Sequence, residues 1–217
     1  MSPHLDDAVL SCGGLIAAKP GTHIVTVFAG RPTAARSDEV TDWDRECGFS
    51  PGDDVVGARR TEDERACAAL DTVAVWLDFV DGQYHEPAPL DAVTAALRDV
   101  VTDLAPSELF IPLGLLHRDH DRTHRACRPL IGARSECAYF AYEDSPYRAA
   151  RDAVDARIVE LAEAGLSPRP VELDADGRSP AKRDALACYR SQVGALERMW
   201  PGYGEIVAEE RYWRIGP

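Results

Sequence analysis

The segment that most limits the possible folds is a polar stretch at residues 2–7, which leads directly into an apolar run at residues 8–18. The spacing of the apolar run predicts a helix, so the imidazole of His4 and the carboxylates of Asp6 and Asp7 stand at a helix start. His4 and Asp7 are three residues apart and can converge on one cation, whereas Asp6 must point elsewhere. One carboxylate would then bind the cation, and the other would be free to move protons.

Two other interpretations of this segment remain open. Asp6 and Asp7 can simply cap the helix, because acidic residues are favoured in a first turn by the helix dipole. A pair of acidic residues can also form a phospho-accepting pocket such as that of receiver domains. That pocket needs a downstream Lys, a Thr or Ser and no His, so we consider it the weaker interpretation.

Composition narrows the class of protein. A chain of 217 residues with 45% hydrophobic residues fits one globular domain that spans residues 1–217. The net charge of −13 would repel phosphate backbones, so we expect no nucleic-acid partner. No apolar run approaches the roughly 20 residues of a membrane span, and no basic leader stands before an apolar stretch, so we expect a cytoplasmic protein without a membrane span. The six cysteines show no Cys-x-x-Cys spacing, so a metal site would use His and carboxylates.

Strand-like and helix-like segments alternate along the first two thirds of the chain. Strands are predicted at residues 23–29, 73–77, 108–113 and 137–142, and helices at residues 58–70, 90–104 and 118–130. This alternation predicts an α/β fold with a mostly parallel sheet, in which ligands bind at the carboxyl ends of strands. A strand is also expected before Pro3, where only Met1 and Ser2 stand. The long polar segment at residues 31–57 is expected to lie over the pocket.

A second polar stretch, residues 114–124, carries three of the six histidines within eight positions. His120 and His124 are four residues apart on one face of the predicted helix, and both could bind a metal. His117 precedes the helix and could face a substrate, while Asp119 could orient one of the imidazoles. The alternative is a helix start that Asp119 caps, with solvated histidines. His124 is either structural or part of a site with two ions.

These two stretches carry a resemblance to a known family. His4-Leu5-Asp6-Asp7 resembles the His-Pro-Asp-Asp signature of the LmbE-like or PIG-L family of zinc-dependent N-deacetylases. Residues 117–120, His-Arg-Asp-His, are similar to the family's second motif, His-Pro-Asp-His. Residues 59–62, 81–82 and three C-terminal segments add weaker similarity. Leu5 and Arg118 stand where the family usually has proline, and neither change removes a ligand.

The resemblance implies a Rossmann-like, three-layer fold and one zinc ion, or another divalent metal, in the site. Its implied roles are metal binding by His4, Asp7 and His120, proton transfer by Asp6, and stabilisation of an oxyanion by a protonated His117 that Asp119 keeps oriented. Arg60 and Asp81 are candidate contacts for sugar hydroxyls. Arg60 could equally be a surface charge of the helix, and Asp81 a turn former.

The expected reaction is removal of the acetyl group from an N-acetylated amino sugar or its glycoconjugate by a metal-activated water. Two alternatives remain open. One is an amidase that cleaves a sugar-thiol conjugate, and the other is a catalytically silent sugar-binding module with the same fold. Asp6 argues against the silent module, because a protein that only binds needs no free carboxylate beside the metal. Residues 142–147 follow a strand end and either line the pocket or form a turn at Ser145-Pro146.

Overall fold

The computed structural model describes residues 1–33 and 40–217. Its helices are α1 (Asp7–Ala17), α2 (Asp42–Glu46), α3 (Val55–Ala69), α4 (Leu90–Leu104), α5 (Arg118–Cys127), α6 (Arg151–Glu163), α7 (Pro180–Leu186), α8 (Arg190–Met199) and α9 (Tyr203–Ala208). Its strands are β1 (His23–Thr26), β2 (Val73–Trp76), β3 (Glu108–Pro112), β4 (Ala138–Tyr142), β5 (Arg169–Val171) and β6 (Tyr212–Ile215). No helix in these two ranges combines the length and the apolar character that a membrane crossing requires.

The strands form two sheets, and the predicted α/β class is confirmed. β1 and β2 pair in parallel, and the second sheet has the order β3-β4-β6-β5. β3 and β4 are parallel, but β6 runs antiparallel to both β4 and β5. The expectation of a mostly parallel sheet is therefore correct only for the strands that alternate with helices in the first two thirds of the chain. Mixed sheets of this kind are common where late strands join a parallel core.

The first two residues of the chain connect the two sheets. Ser2 donates its amide hydrogen to Val25 at 2.7 Å and accepts a hydrogen bond from the amide of Val27 at 2.9 Å. The amino group of Met1 donates to the carbonyl of Phe110 in β3 at 2.7 Å. Residues 1 and 2 thus occupy the place between β1 and β3 where a strand was expected.

Buried side chains pack on both faces of the sheets and give three layers. On one face, α4, α5 and α6 pack against alternate residues of β1, β3 and β4, such as Val25 and Tyr139. On the other face, α1, α3 and α7 cover residues of opposite orientation, such as Ile24 and Tyr142. α1 is buried over nearly its whole surface, because it lies between the sheets and α7. A Cβ atom at Gly14 would overlap the backbone carbonyl of Asp176, so this close approach requires glycine.

Three chain segments reach the same end of the sheets and form a pocket there. The turn before α1 carries residues 4–7, the turn after β3 carries residues 113–117, and the segment after β4 carries residues 143–147. β3 and β4 are parallel, so their carboxyl ends lie side by side. This is the position at which α/β folds place their ligands.

Candidate active site

The two polar stretches of the sequence meet at one carboxylate. Oδ2 of Asp7 lies 3.1 Å from Nδ1 of His4 and 3.1 Å from Nε2 of His120. All three side chains line one pocket, although the sequence separates His120 from the other two by more than a hundred positions. The convergence that the sequence pattern predicts is therefore present in the fold.

The donor atoms at this place fit a divalent cation. One nitrogen from each of His4, His117 and His120 lies within 4.8 Å of the others, and His4, Asp81 and Asp119 form a second group that meets the same limit. Neither group is the set that the family resemblance implies, His4, Asp7 and His120, which is held together by the two 3.1 Å contacts of Asp7. That set, two imidazoles and one carboxylate, is one that catalytic zinc sites use, and it leaves a coordination position for water or substrate.

A carboxylate also supports each of the two imidazoles from its other nitrogen. Nδ1 of His120 lies 2.6 Å from Oδ1 of Asp144, and Nε2 of His4 lies 3.3 Å from Oδ2 of Asp119. Carboxylates in this position fix the ring orientation of metal-binding histidines. Burial opposes a charge on His120, but Asp7 and Asp144 outweigh it and raise the pKa of His120 to about 9. From the sequence alone, Asp144 was only one of several candidate pocket residues after a strand end.

Asp119 differs from the prediction, because its carboxylate faces His4 and not His117. Oδ2 of Asp119 also accepts a hydrogen bond from the amide of Gly82 at 2.8 Å. His117 is held instead by the backbone, since its Nδ1 accepts a hydrogen bond from the amide of Asp119 at 3.3 Å. His117 is the N-cap of α5, and this geometry brings its ring to the first amides of the helix.

His117 also differs from the prediction in its charge. Burial lowers the pKa of His117 to about 4, and the neighbouring His4 and His120 contribute in the same direction. The ring is therefore neutral near pH 7. Because Nδ1 accepts a hydrogen bond, the proton of the neutral ring lies on Nε2, and the ring can donate one hydrogen bond. Sequence could not reveal this, since three clustered imidazoles compete for charge only once they are folded together.

Asp6 stands at the N-cap of α1, but its carboxyl group makes no capping hydrogen bond. The simple capping interpretation therefore does not hold for Asp6. Its side chain is buried and lines the pocket. Burial and the negative charge of Asp7 raise the pKa of Asp6 to about 7. The pKa of Asp7 is instead lowered well below its usual range despite its burial, because His120 and His4 stabilise its negative charge. Two adjacent carboxyl groups with pKa values pushed apart are typical of catalytic sites.

Arg60 does not lie in the pocket, and Arg59 does. Nε of Arg60 donates to the carbonyl of Ala29 at 2.9 Å, and its guanidinium pairs with Asp78 at 2.8 Å. Arg59 is buried, lines the pocket and lies 3.0 Å from a carboxylate oxygen of Asp44. Adjacent residues of a helix point about 100° apart, so the motif lies at the helix turn beside the pocket, but Arg59 and not Arg60 faces it.

The structure bears on the alternatives left open for Asp81, a turn former or a sugar contact, and for His124, a structural residue or a ligand of a second ion. Asp81 forms a turn by accepting hydrogen bonds from Gln83, and it also lines the pocket with Oδ2 3.8 Å from Nε2 of His4. His124 is fully buried and donates from Nδ1 to the carbonyl of Pro112 at 2.9 Å. It does not line the described pocket, which favours the structural alternative over a second ion at His124.

The pocket has a volume of about 330 Å³ and an apolar wall that the sequence analysis did not identify. Trp43 of α2 lies in this wall, so the long polar segment does contribute to the pocket. Residues 34–39 of that segment lie outside the described residues. The rest of the wall comes from the C-terminal part of the chain, where Gln192, Leu196, Met199 and Trp200 line the pocket. Residues 189–192, one of the C-terminal segments that resemble the family, lead into α8, but nothing in the sequence indicated that Leu196, Met199 and Trp200 line the pocket.

Comparison with known proteins agrees with the resemblance that the sequence motifs carry. A family model described as "PIG-L: GlcNAc-PI de-N-acetylase" matches residues 1–131. A 2'-N-acetylparomamine deacetylase from Streptomyces fradiae is 31% identical over 215 residues, which cover 89% of this chain and 72% of that protein.

Solved structures share the fold at lower sequence identity. The A40926 pseudoaglycone deacetylase Dbv21 superposes with a TM-score of 0.71 at 23% identity, over 99% of this chain and 94% of that chain. GalB, the 4-carboxy-2-hydroxymuconate hydratase of Pseudomonas putida KT2440, superposes with a TM-score of 0.56 at 18% identity, over 99% and 93% of the two chains. The fold therefore occurs in proteins named for different reactions, and the reaction has to be argued from the site.

Proposed function

Because the chain belongs to the PIG-L family of de-N-acetylases, we propose that it is a metal-dependent hydrolase that removes the acetyl group from an N-acetylated amino sugar or its glycoconjugate. One observation carries the proposal. A single oxygen of Asp7 lies 3.1 Å from both His4 and His120, and the buried carboxyl group of Asp6 lines the pocket beside this group. The arrangement supplies ligands for one ion together with a separate acid-base residue.

His4, Asp7 and His120 would hold the ion, and Zn²⁺ suits their two nitrogen donors and one carboxylate oxygen, although another divalent metal could use the same donors. When bound, such an ion lowers the pKa of a water ligand and polarises the amide carbonyl. Asp144 and Asp119 would orient the two imidazoles through the nitrogens that face away from Asp7.

Proton transfer in this proposal belongs to Asp6. A carboxyl group with a pKa of about 7 is poised to accept a proton from the attacking water and then to deliver it to the departing amine. The neutral ring of His117 would donate a hydrogen bond to the developing oxyanion. A neutral donor replaces the charged imidazolium that the family resemblance implied, and it would not repel the cation electrostatically.

Arg59 and Asp81 are the proposed polar contacts for the sugar. Both line the pocket, and Arg59 takes the place that the sequence analysis gave to Arg60. A catalytically silent sugar-binding module is disfavoured, because Asp6 would then be a buried carboxyl group with neither a capping role nor a chemical one. Cleavage of a sugar-thiol conjugate uses the same hydrolytic chemistry, and a substrate panel separates the two.

Acetate release tests the proposal directly. The purified protein, loaded with Zn²⁺, should release acetate and free amine in equal amounts from at least one member of a panel of N-acetylglucosamine glycosides and 2'-N-acetylparomamine. Prior treatment with a chelator should abolish the release, and added Zn²⁺ should restore it. Mass spectrometry of the amine and an enzymatic acetate assay measure the two products. Acetate release that persists after the metal has been removed would contradict the metal-dependent mechanism.

Asp144→Asn should weaken metal retention about 10- to 100-fold, because Asp144 accepts from His120 with one oxygen and from the amide of Gly114 with the other, and Asn has only one acceptor oxygen for the two. Competition with a chromogenic chelator measures the affinity. Asp152→Asn, which changes an exposed carboxylate in α6, serves as the matched control and should leave the affinity unchanged. Equal affinities in the two variants would remove Asp144 from the metal site.

A further inference from the structure

Helix α8 turns one face toward the pocket. Gln192, Leu196 and Met199 stand at positions i, i+4 and i+7, which share one side of a helix, and all three line the pocket together with Trp200. On the same helix, Glu197 is exposed and does not line the pocket. One face of α8 therefore lines the pocket, while the histidines and carboxylates of the candidate active site come from other segments.

Hydrogen bonds fix this helix to the rest of the fold. The amide and hydroxyl groups of Ser191 both donate to the carboxylate of Glu62 in α3, at 2.9 and 2.7 Å. Near the other end, the guanidinium of Arg198 donates to the carbonyl of Glu46, the last residue of α2, at 2.6 Å. α2 carries Trp43, so this hydrogen bond links two helices that both line the pocket.

Three side chains of the pocket carry buried polar atoms that have no hydrogen-bond partner in the described part of the chain. They are Gln192 with Nε2, Ser145 with Oγ, and Arg59 with its guanidinium, which forms an ion pair with Asp44. Burying a polar group without a partner is unfavourable, so such groups in a ligand pocket point to a ligand with matching polar atoms. Hydroxyl and ring oxygens of a sugar match the amide donor of Gln192.

The outer part of the wall is apolar. Met199 is 56% exposed, and it lines the pocket together with Trp200 and Trp43. The carboxylates that line the described pocket are Asp6, Asp7 and Asp81, and each of them interacts with His4. A cationic group bound at the outer wall would therefore find aromatic and thioether surface without a carboxylate.

The pocket is small, so a bound amino sugar and the group linked to it would occupy different parts of it. Sites for small molecules usually measure about 300–1,000 Å³, and the cavity here, at about 330 Å³, lies at the lower limit. A bound amino sugar would occupy the space near His4 and Asp6, so a group linked to the sugar would extend along α8 toward Met199. Aromatic and thioether side chains at such a position favour an apolar, preferably aromatic, partner.

We infer that α8 forms a recognition wall, made of Gln192, Leu196, Met199 and Trp200, that selects N-acetylated amino sugars carrying an apolar, aromatic aglycone. Gln192 donates a hydrogen bond to the sugar, and Trp200 with Met199 contacts the aglycone. The inference rests on the proposed deacetylase function, since it places the acetamide at the metal-binding end of the same pocket.

Three substrates that differ only in the aglycone test this recognition wall. They are N-acetylglucosamine, its phenyl β-glycoside and its 2-aminoethyl β-glycoside. The value of kcat/KM should be about tenfold higher for the phenyl glycoside than for the free sugar, because one aromatic contact is gained, and the aminoethyl group should give no such increase. Trp200→Ala should reduce the phenyl preference to less than twofold. Gln192→Leu should lower kcat/KM about tenfold for all three substrates.

Glu197→Ala, on the exposed side of α8, is the control and should keep the phenyl preference. Thermal unfolding of each variant shows whether a loss reflects misfolding. A phenyl preference that survives Trp200→Ala, or a preference for the aminoethyl glycoside in the unmodified protein, would overturn the inference.

A binding measurement distinguishes failure of this inference from failure of the proposed function. Isothermal titration calorimetry with phenyl β-glucosaminide and with glucosamine requires no turnover. Tighter binding of the phenyl compound, lost in Trp200→Ala, supports the recognition wall even if none of the three acetylated substrates is hydrolysed, a result that would count against the proposed reaction alone. Equal binding of the two amines would overturn the inference, whatever the activity.

Discussion

Asp6→Asn is expected to lower kcat about 10³-fold while the protein keeps its divalent ion. Asn has nearly the same shape as Asp but cannot accept and return a proton, and general acid-base catalysis typically contributes about 10²–10⁴-fold. The side chain lines the pocket but lies outside the proposed ligand set, so metal binding should not depend on its charge. Single-turnover acetate release and elemental analysis after dialysis measure the two quantities.

The neighbouring variant Asp7→Asn provides the contrast. Asp7 contacts both His4 and His120, so the Asp7→Asn protein should lose most of its bound ion and its activity. The two variants differ by one position and make the same chemical change, a carboxyl group replaced by an amide, so a difference in metal content between them separates metal binding from proton transfer. An Asp6→Asn protein that retains full turnover, or that loses its ion as Asp7→Asn does, would remove Asp6 from its proposed role.

Local periodicity predicted helices and strands well where one face of the element is buried. The helix predicted at residues 90–104 is observed with the same bounds, and its buried residues Val93, Leu97 and Val101 follow the helical repeat. This repeat indicates both that the segment is a helix and which of its faces is buried. The tertiary contacts of the helix agree with both predictions.

The order and direction of the late strands could not be predicted in the same way. β6 pairs between β4 and β5, which places the end of the chain inside the sheet. Short segments such as residues 169–171 have no distinctive pattern, and their direction depends on the path of the connecting helices. The sequence therefore predicted a parallel sheet from the strands that it could recognise.

The meeting of the two polar stretches was predictable, whereas the partners of individual side chains were not. Both stretches lie at the start of a helix at one end of the sheets, so topology alone brings them together. Whether Asp119 faces His4 or His117, and whether Arg59 or Arg60 faces the pocket, depends on rotations about a helix that a motif does not specify. The charge of His117 depends further on burial among other imidazoles.

His120→Ala is expected to abolish metal retention and to lower turnover by about 10³-fold or more, because a bound cation typically contributes several kcal/mol to transition-state stabilisation. His120 links Asp7 to Asp144, which is completely buried, so the substitution also leaves a carboxylate without its partner. Removing one member of a buried charged pair typically costs about 3–5 kcal/mol of stability. Elemental analysis, acetate release and denaturant unfolding measure the three effects.

The double variant His120→Ala, Asp144→Asn separates loss of the metal from loss of the fold. Asn at position 144 is uncharged and can still accept the hydrogen bond from the amide of Gly114, so much of the stability should return. Metal retention and turnover should not return, because one nitrogen donor is still missing. A single variant His120→Ala that binds one equivalent of metal with unchanged affinity would show that the ligand set is different. Recovery of activity in the double variant would show that His120 acts through stability and not through the ion.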